Sequence, residues 1–185
     1  MPGARRFAAL LLLGNSLNVL AEPPQLLQIV REPISAGQED AYEAIESEIA
    51  QGCVTLKCPH PHLALETLVG PKVVWWFNFF ESEEQRLAVT RAYESNGALM
   101  EMLSSNSQRK SRYTSGVTDV ILRHRPDLGG GSAWEIAGAR FVVVSVSRAE
   151  PRTDRPVFVS PDGTYFAVQP HRTLLDAERA VRGDS

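Results

Sequence analysis

Three side chains that could ligate a metal ion lie at alternate positions of one short stretch: Cys58, His60 and His62. Alternate residues of a strand point to the same side, and thiolate and imidazole groups suit a soft or borderline metal. Pro59 and Pro61 separate them, however, which is typical of an irregular loop, and no CxxC or HExxH motif accompanies them. We therefore predict no metal site here and interpret the stretch as a polar loop.

The N-terminus has the pattern of a secretory signal peptide. Arg5 and Arg6 precede the apolar run Phe7–Leu13, and a more polar stretch then ends at Ala21, where a signal peptidase could cut. We expect residues 1–21 to be removed and the mature protein to be periplasmic or secreted, with a buried N-terminal helix as the alternative. In an oxidising compartment Cys53 and Cys58 could form a disulfide, whereas two reduced loop thiols are the other interpretation.

Two adjacent tryptophans, Trp75 and Trp76, lie in the aromatic-rich run Val73–Phe80. Alternate strand residues face opposite sides, so these two indoles point to opposite faces, and both faces are largely apolar. A strand of this kind is covered on both sides, by helices on one and by a partner subunit, a second half of the chain or a ligand on the other. Tryptophans in such a strand are typical of a core or an interface, although one could face a cavity.

Capping signals and periodicity predict the elements that position these residues. Two Ser-x-x-Gln capping boxes, at Ser35 and Ser82, begin two helical regions, and Gly52 ends the first. We interpret the acidic side of the first helix as solvated surface. The basic QRKSR patch ends the second helix, where positive charge interacts favourably with the helix dipole. Strands are predicted at Leu26–Ile34, Leu63–Val69, Lys72–Glu81 and Gly116–Arg123.

This order is the α+β, ferredoxin-like split βαβ plan, β-α-β-β-α-β. After the Gly/Pro linker, further strands are predicted at Arg140–Ser147, Val157–Val159 and Tyr165–Gln169, and Thr173 caps a short final helix. We therefore divide the chain into a signal peptide, a ferredoxin-like barrel domain, a linker and a β-rich extension or degenerate second half. The boundaries are residues 1–21, 22–125, 126–139 and 140–185.

Composition excludes several classes of function. A net charge of −3 gives no electrostatic case for nucleic-acid binding. No stretch after the signal peptide has the roughly 20 apolar residues that span a membrane. P-loop, GxGxxG and GxSxG motifs are absent, and Gly129-Gly130-Gly131 lacks the Lys and Ser or Thr of a phosphate loop. We predict no cofactor.

Residues 26–123 resemble the dimeric α/β-barrel superfamily, which includes the antibiotic-biosynthesis-monooxygenase-like and NIPSNAP-like domains. The segments that carry the resemblance are REPISAGQEDAYEAIE, VVWWFNFFES, AYESNGALMEML and VTDVIL. It implies two sheets packed face to face, usually from two subunits, and a cavity between sheet and helices that often takes a flat or lipophilic ligand. A homodimer is therefore expected.

The resemblance also implies candidate ligand-binding residues. Haem-degrading members resemble a scheme with an Asn on the first strand, a Trp on the third and a His on the second helix. This sequence has no Asn in Leu26–Ile34 and no His between His62 and His124, which disfavours haem degradation. Cofactor-independent oxygenases need polar groups that bind an aromatic substrate, and Asn78, Arg31 or Tyr93 could supply them here. The candidate ligand-binding residues are Trp75, Trp76, Asn78, Arg31 and Tyr93.

Three functions remain open from the sequence. The leading one is an exported barrel that binds a small lipophilic or aromatic ligand. The second is a cofactor-independent monooxygenase of the antibiotic-biosynthesis type. The third is a structural or partner-binding dimer whose cavity is filled by Phe77, Phe79 and Trp side chains, and fold alone does not decide among them.

Overall fold

The computed structural model describes residues 23–129, 134, 136 and 138–183. The predicted signal peptide, residues 1–21, lies outside these residues. Four helices and seven strands occur in the described part of the chain. They are β1 (Leu26–Pro33), α1 (Glu39–Leu56), β2 (Leu63–Glu66), β3 (Val73–Phe80), α2 (Glu83–Glu94), α3 (Gly97–Lys110), β4 (Thr118–His124), β5 (Phe141–Ser147), β6 (Val157–Val159), β7 (Tyr165–His171) and α4 (Leu174–Arg182).

The predicted α+β, ferredoxin-like plan is confirmed. The seven strands form one antiparallel sheet in the order β2-β3-β1-β4-β6-β7-β5, so β1 is central in the first half and pairs with both β3 and β4. The second helical region is divided into α2 and α3, because Asn96 begins a new helix by accepting a hydrogen bond from Leu99 N at 3.1 Å.

The two predicted capping boxes have different outcomes. Ser82 accepts a hydrogen bond from Gln85 N at 3.1 Å, and the Gln85 side chain accepts one from Glu81 N at 2.7 Å. The box at Ser35 is wrong: α1 begins after Gln38, which makes no side-chain cap. Gly37 takes a positive φ of 79°, which turns the chain between Ser35 and the helix and removes the serine from the capping position.

The prediction that Gly52 ends α1 is wrong. The helix continues for another turn, to Leu56, and Lys57, in the left-handed conformation, ends it. Gly52 instead lies against α3, where an added Cβ would be 2.8 Å from Met102 Cε and 3.0 Å from its sulfur. The glycine therefore permits the close approach of α1 and α3, which is a packing role rather than a capping role.

The C-terminal strands extend the first sheet. β6 pairs with β4 through Arg123 and His124, and β7 joins β6 to β5. The sheet curves around one apolar core to which both halves contribute, giving a near-barrel in a single chain. The fully buried members of this core include Leu27, Ile29 and Phe77 from the first half and Phe158 and Val168 from the second.

No helix among the described residues is long and apolar enough to cross a membrane.

Candidate functional site

The register of β1 and β3 sorts their side chains onto two faces. Gln28 lies opposite Asn78, and Val30 lies opposite Trp76, on the face that α1 and α3 cover. We call this the helix side. The other face, the barrel side, carries Leu27, Ile29 and Arg31 of β1 with Trp75, Phe77 and Phe79 of β3.

The barrel side is filled with aromatic rings. Phe77 is fully buried, and Trp134 lies edge-on to Phe79 at 5.7 Å and to Phe158 at 5.8 Å between ring centroids. Trp134 falls within the segment predicted as a linker and is only 5% exposed. Such packing makes most of the barrel side hydrophobic core, with Arg31, Trp75 and Phe79 half-buried, and we place the candidate site on the helix side.

Two predicted ligand-binding residues, Arg31 and Trp75, therefore lie on the barrel side. The Arg31 guanidinium stands 4.8 Å from the centroid of the Trp75 ring, a cation–π contact. Arg31 Nε is buried without a hydrogen-bond partner among the described residues. The sheet separates this pair from Trp76 and Asn78, which explains why the predicted residues do not converge on one site.

The floor of the helix side is only partly covered. Side chains in the middle of a central strand are normally buried when helices cover the sheet closely, yet several here retain intermediate exposure. We call this surface the helix-side groove. Its floor consists of Gln28, Val30, Trp76, Asn78 and Ile121.

A row of polar side chains crosses the groove from β3 to β4. Asn78 Nδ2 donates to Gln28 Oε1 at 3.3 Å. Gln28 Nε2 in turn donates to the two carboxylate oxygens of Asp119 at 2.9 and 3.0 Å. The three side chains therefore form one hydrogen-bonded row, with Asp119 at its exposed end.

A charge cluster is buried where the groove meets α1 and α3. Glu32 is 7% exposed, and its carboxylate accepts hydrogen bonds from Trp76 Nε1 at 2.9 Å and from the Tyr42 hydroxyl. Lys110 Nζ lies 2.9 Å from Glu32 and 2.7 Å from Glu46. We call these four side chains the charge cluster: Glu32, Tyr42, Glu46 and Lys110.

The environment shifts the pKa values of the cluster. Burial raises the pKa of Glu46 more than the charge and hydrogen bond of Lys110 lower it. Burial by itself lowers the pKa of Lys110, but the two nearby glutamates outweigh burial and the net shift is upward. Burial, together with the neighbouring carboxylates, also raises the pKa of Tyr42. Lys110 therefore stays charged, and the Glu46 carboxyl holds its proton to a higher pH than an exposed glutamate does.

The loop between α1 and β2 lies beside the groove. His62 meets the edge of Trp76 at 5.1 Å, and His60 stacks on Phe80 at 4.7 Å between centroids. Burial raises the pKa of the Tyr93 hydroxyl, which faces the backbone of His60, so the fifth predicted ligand-binding residue lies beside this loop on α2. The loop thus adds aromatic rings at the rim of the groove.

Cys53 and Cys58 form a disulfide in this structure, with their Cα atoms 4.7 Å apart. The Cys58 sulfur is therefore not a thiolate that could join His60 and His62 as a metal ligand. Among the described residues, no three His, Cys, Asp or Glu side chains are grouped as they would need to be to hold a metal ion.

Sequence reasoning missed the charge cluster. Glu46 and Lys110 were interpreted as solvated surface and helix-dipole complement, yet their side chains are only 16% and 13% exposed. The buried residues of α1 are Tyr42 and Ile45, and this orientation of the helix turns Glu46 toward the sheet. One signal was present: Glu46 follows Tyr42 by four residues and therefore shares its helix face.

Known structures share this fold. A "putative monooxygenase" of Fusobacterium nucleatum matches with a TM-score of 0.55 at 8% identity, over 86% of this chain and 81% of that one. This chain therefore shares its α+β, ferredoxin-like fold with that protein. No protein-family model and no curated protein matches the sequence itself.

Smaller proteins of known structure match about half of the chain. A NIPSNAP domain protein of Burkholderia xenovorans covers 52% of this chain and 91% of its own, at 15% identity and a TM-score of 0.42. A "putative antibiotic biosynthesis monooxygenase" of Nitrosomonas europaea covers 52% and 94%, at 10% identity and a TM-score of 0.36.

Proposed function

We propose that the helix-side groove binds one small, planar, lipophilic or aromatic molecule. The observation that carries the proposal is the partly exposed floor over the central strand, where Trp76 lies between a polar row and a buried charge cluster. Ligand sites of this kind combine an apolar, aromatic wall with a few fixed polar groups. Trp76 supplies the stacking surface, and the polar row supplies orientation.

The two adjacent tryptophans allow a matched test. 1-Naphthol is titrated into the purified chain while tryptophan fluorescence is recorded. We expect quenching in the wild type and in Trp75→Phe, because Trp75 lies on the barrel side, and little quenching in Trp76→Phe. Equal quenching in both variants, or none in the wild type, would contradict the proposal.

A second candidate function is oxidation of the bound molecule by O2 without a cofactor. It is supported by Glu46, whose raised pKa allows it to accept and release a proton near the groove. In such a reaction a CH2 group becomes a carbonyl, the second oxygen atom leaves as water, and the substrate supplies all four electrons.

Oxygen uptake separates oxidation from binding alone. We expect Glu46→Gln to abolish uptake while 1-naphthol still binds, because the glutamine cannot accept the proton but keeps the shape of the side chain. Anthrone, a planar aromatic with an activated CH2 group, is a suitable first substrate. Absence of uptake by the wild-type chain would leave ligand binding as the function.

We also propose that the chain forms a homodimer, although through a different surface from the one that the resemblance implies. The barrel side, which a partner subunit covers in two-chain barrels, is packed here by Trp134, Phe158 and Val168 of the same chain. A dimer would therefore use another surface, such as the free edge of β2 or of β5. Sedimentation at micromolar concentration tests it, and a monomer would contradict it.

We further propose that the mature chain is exported. The Cys53–Cys58 disulfide supports this, because structural disulfides persist mainly in oxidising compartments. Mass spectrometry of periplasmic or secreted material should find a chain that starts at Glu22. An intact Met1, or no protein in that material, would contradict export.

A further inference from the structure

The polar row has a direction that its chemistry fixes. A carboxylate contains acceptors only, so Gln28 must turn its amide NH2 group toward Asp119. The Gln28 carbonyl then faces Asn78, and Asn78 must turn its own NH2 group toward that carbonyl. The acceptor at one end of the row thus sets the orientation of an amide two strands away.

This orientation leaves Asn78 Oδ1 as the group that the row presents to the rest of the groove. Among the described residues, no donor forms a hydrogen bond with that oxygen. Asn78 lies on the same face as Trp76 and two residues from it, so a ring stacked on Trp76 would bring its substituents near Oδ1. An acceptor in this position requires a donor on the ligand.

We infer that Asp119, acting through Gln28 and Asn78, makes the groove select ligands that present a phenolic O–H or an aryl N–H over ligands that present an ether or carbonyl oxygen. This inference rests on the proposed function of the groove. Asp119 is a positioning residue in this scheme, since it orients two amides and does not itself touch the ring. Hydrogen bonds to a charged acceptor are the stronger kind, which is why the exposed end of the row can control the other end.

This orientation of the polar row predicts that a neutral side chain in place of Asp119 changes which ligands the groove accepts. In Asp119→Asn, the new amide can offer either a donor or an acceptor to Gln28, so both Gln28 and Asn78 become free to reverse. The groove should then accept a ligand oxygen almost as well as a ligand hydroxyl. A purely structural role of Asp119 would weaken the binding of both ligands together.

The test compares two probes of nearly the same shape, 1-naphthol and 1-methoxynaphthalene, by their dissociation constants. We expect the wild type to prefer 1-naphthol, and we expect the ratio of the two constants to fall by about fivefold in Asp119→Asn, the equivalent of one net hydrogen bond. Gln28→Leu, which breaks the row without changing the charge, should lower the ratio similarly. Glu101→Gln, at an exposed position of α3, should not change it.

The outcomes distinguish this inference from the proposed function. If the wild type binds both probes and the ratio is the same in Asp119→Asn and Gln28→Leu, the inference is overturned and the groove remains a ligand site. A ratio that falls equally in Glu101→Gln would attribute the effect to net charge and would also overturn it. If the wild type binds neither probe, the proposed function fails, and this inference fails with it.

Discussion

Lys110 of α3 connects strand β1 and helix α1 through its ammonium group. Its ammonium group lies between Glu32 of β1 and Glu46 of α1, and it stands 5.7 Å from the centroid of the Trp76 ring. Buried charges are costly unless they are paired, so each member of the cluster depends on the others. The cluster therefore fixes α1 and α3 against the sheet and holds the indole of Trp76 in position at the groove.

Removal of Lys110 should be strongly destabilising. In Lys110→Met two buried carboxylates lose their shared cation, and we expect the free energy of unfolding to fall by about 3 kcal/mol, the lower end of the usual range because Glu46 can take up a proton. Arg109→Met is the matched control, since the ion pair of Arg109 with Glu48 is about half exposed and should contribute much less. Urea unfolding measures both, and equal losses would argue against the cluster.

Glu46 should also make stability depend on pH. Its folded pKa is raised above the ordinary value of 4.5, so below pH 4.5 the carboxyl is neutral in both states and its contribution is fully present. As pH rises through the folded pKa, the buried carboxyl must lose its proton and that contribution is lost. We expect the stability of the wild type, relative to Glu46→Gln, to decrease over this interval in urea titrations, and an increase would contradict the shift.

At the scale of elements, the close contact of α1 and α3 depends on a glycine that sequence reasoning assigned to a helix end. Both helices must lie near the sheet for Lys110 to pair with both Glu32 and Glu46. Gly52, which directly precedes the disulfide-bonded Cys53, lets Met102 of α3 approach the backbone of α1. The spacing of the helix pair therefore determines whether the charge cluster can form.

Widening this contact should weaken the fold. Gly52→Leu forces α3 or Met102 to move, and we expect a loss of about 1–3 kcal/mol from overpacking, even though leucine favours helix. Gly97→Leu makes the same change at the start of α3, where nothing lies within 4 Å of the added Cβ, and should be neutral or slightly stabilising. Thermal unfolding compares the two variants, and a neutral result at position 52 would show that Met102 adapts freely.

At the scale of the whole molecule, the sheet separates a filled interior from a partly open exterior. Trp134, Phe77, Phe79 and Phe158 occupy the barrel side, and the groove lies on the opposite face of the same strands. A substitution that is confined to the barrel side should therefore change stability without changing ligand binding.

Trp134→Ala tests this separation. We expect the free energy of unfolding to fall by about 3–5 kcal/mol, because a large ring is removed from between Phe79 and Phe158. The affinity for 1-naphthol should be unchanged in native buffer. Val146→Ala, at a position that is 54% exposed, should cost no more than about 0.5 kcal/mol. Loss of affinity in Trp134→Ala would mean that the two faces are coupled.

Local signals predicted the elements well, and non-local contacts account for what was missed. Ser82 and Thr173 each begin a helix where their types and neighbours indicated, since capping is decided within four residues. The role of Lys110 could not be predicted in the same way, because its partners lie more than sixty positions earlier in the chain. Strand alternation predicts that the side chains of residues 75 and 76 point to opposite faces, but the sheet register decides which of them faces the helices.

The order of the strands has a consequence for synthesis. β1 to β4 are complete by His124, but the side chains that cover their apolar barrel side, such as Phe158 and Val168, arrive more than thirty residues later. A nascent chain that has reached β4 therefore displays Leu27, Ile29 and Phe77 to its surroundings. Exposed apolar surface of this kind is what chaperones bind and what drives misassembly. We expect this chain to require a holding chaperone until its last strands are made.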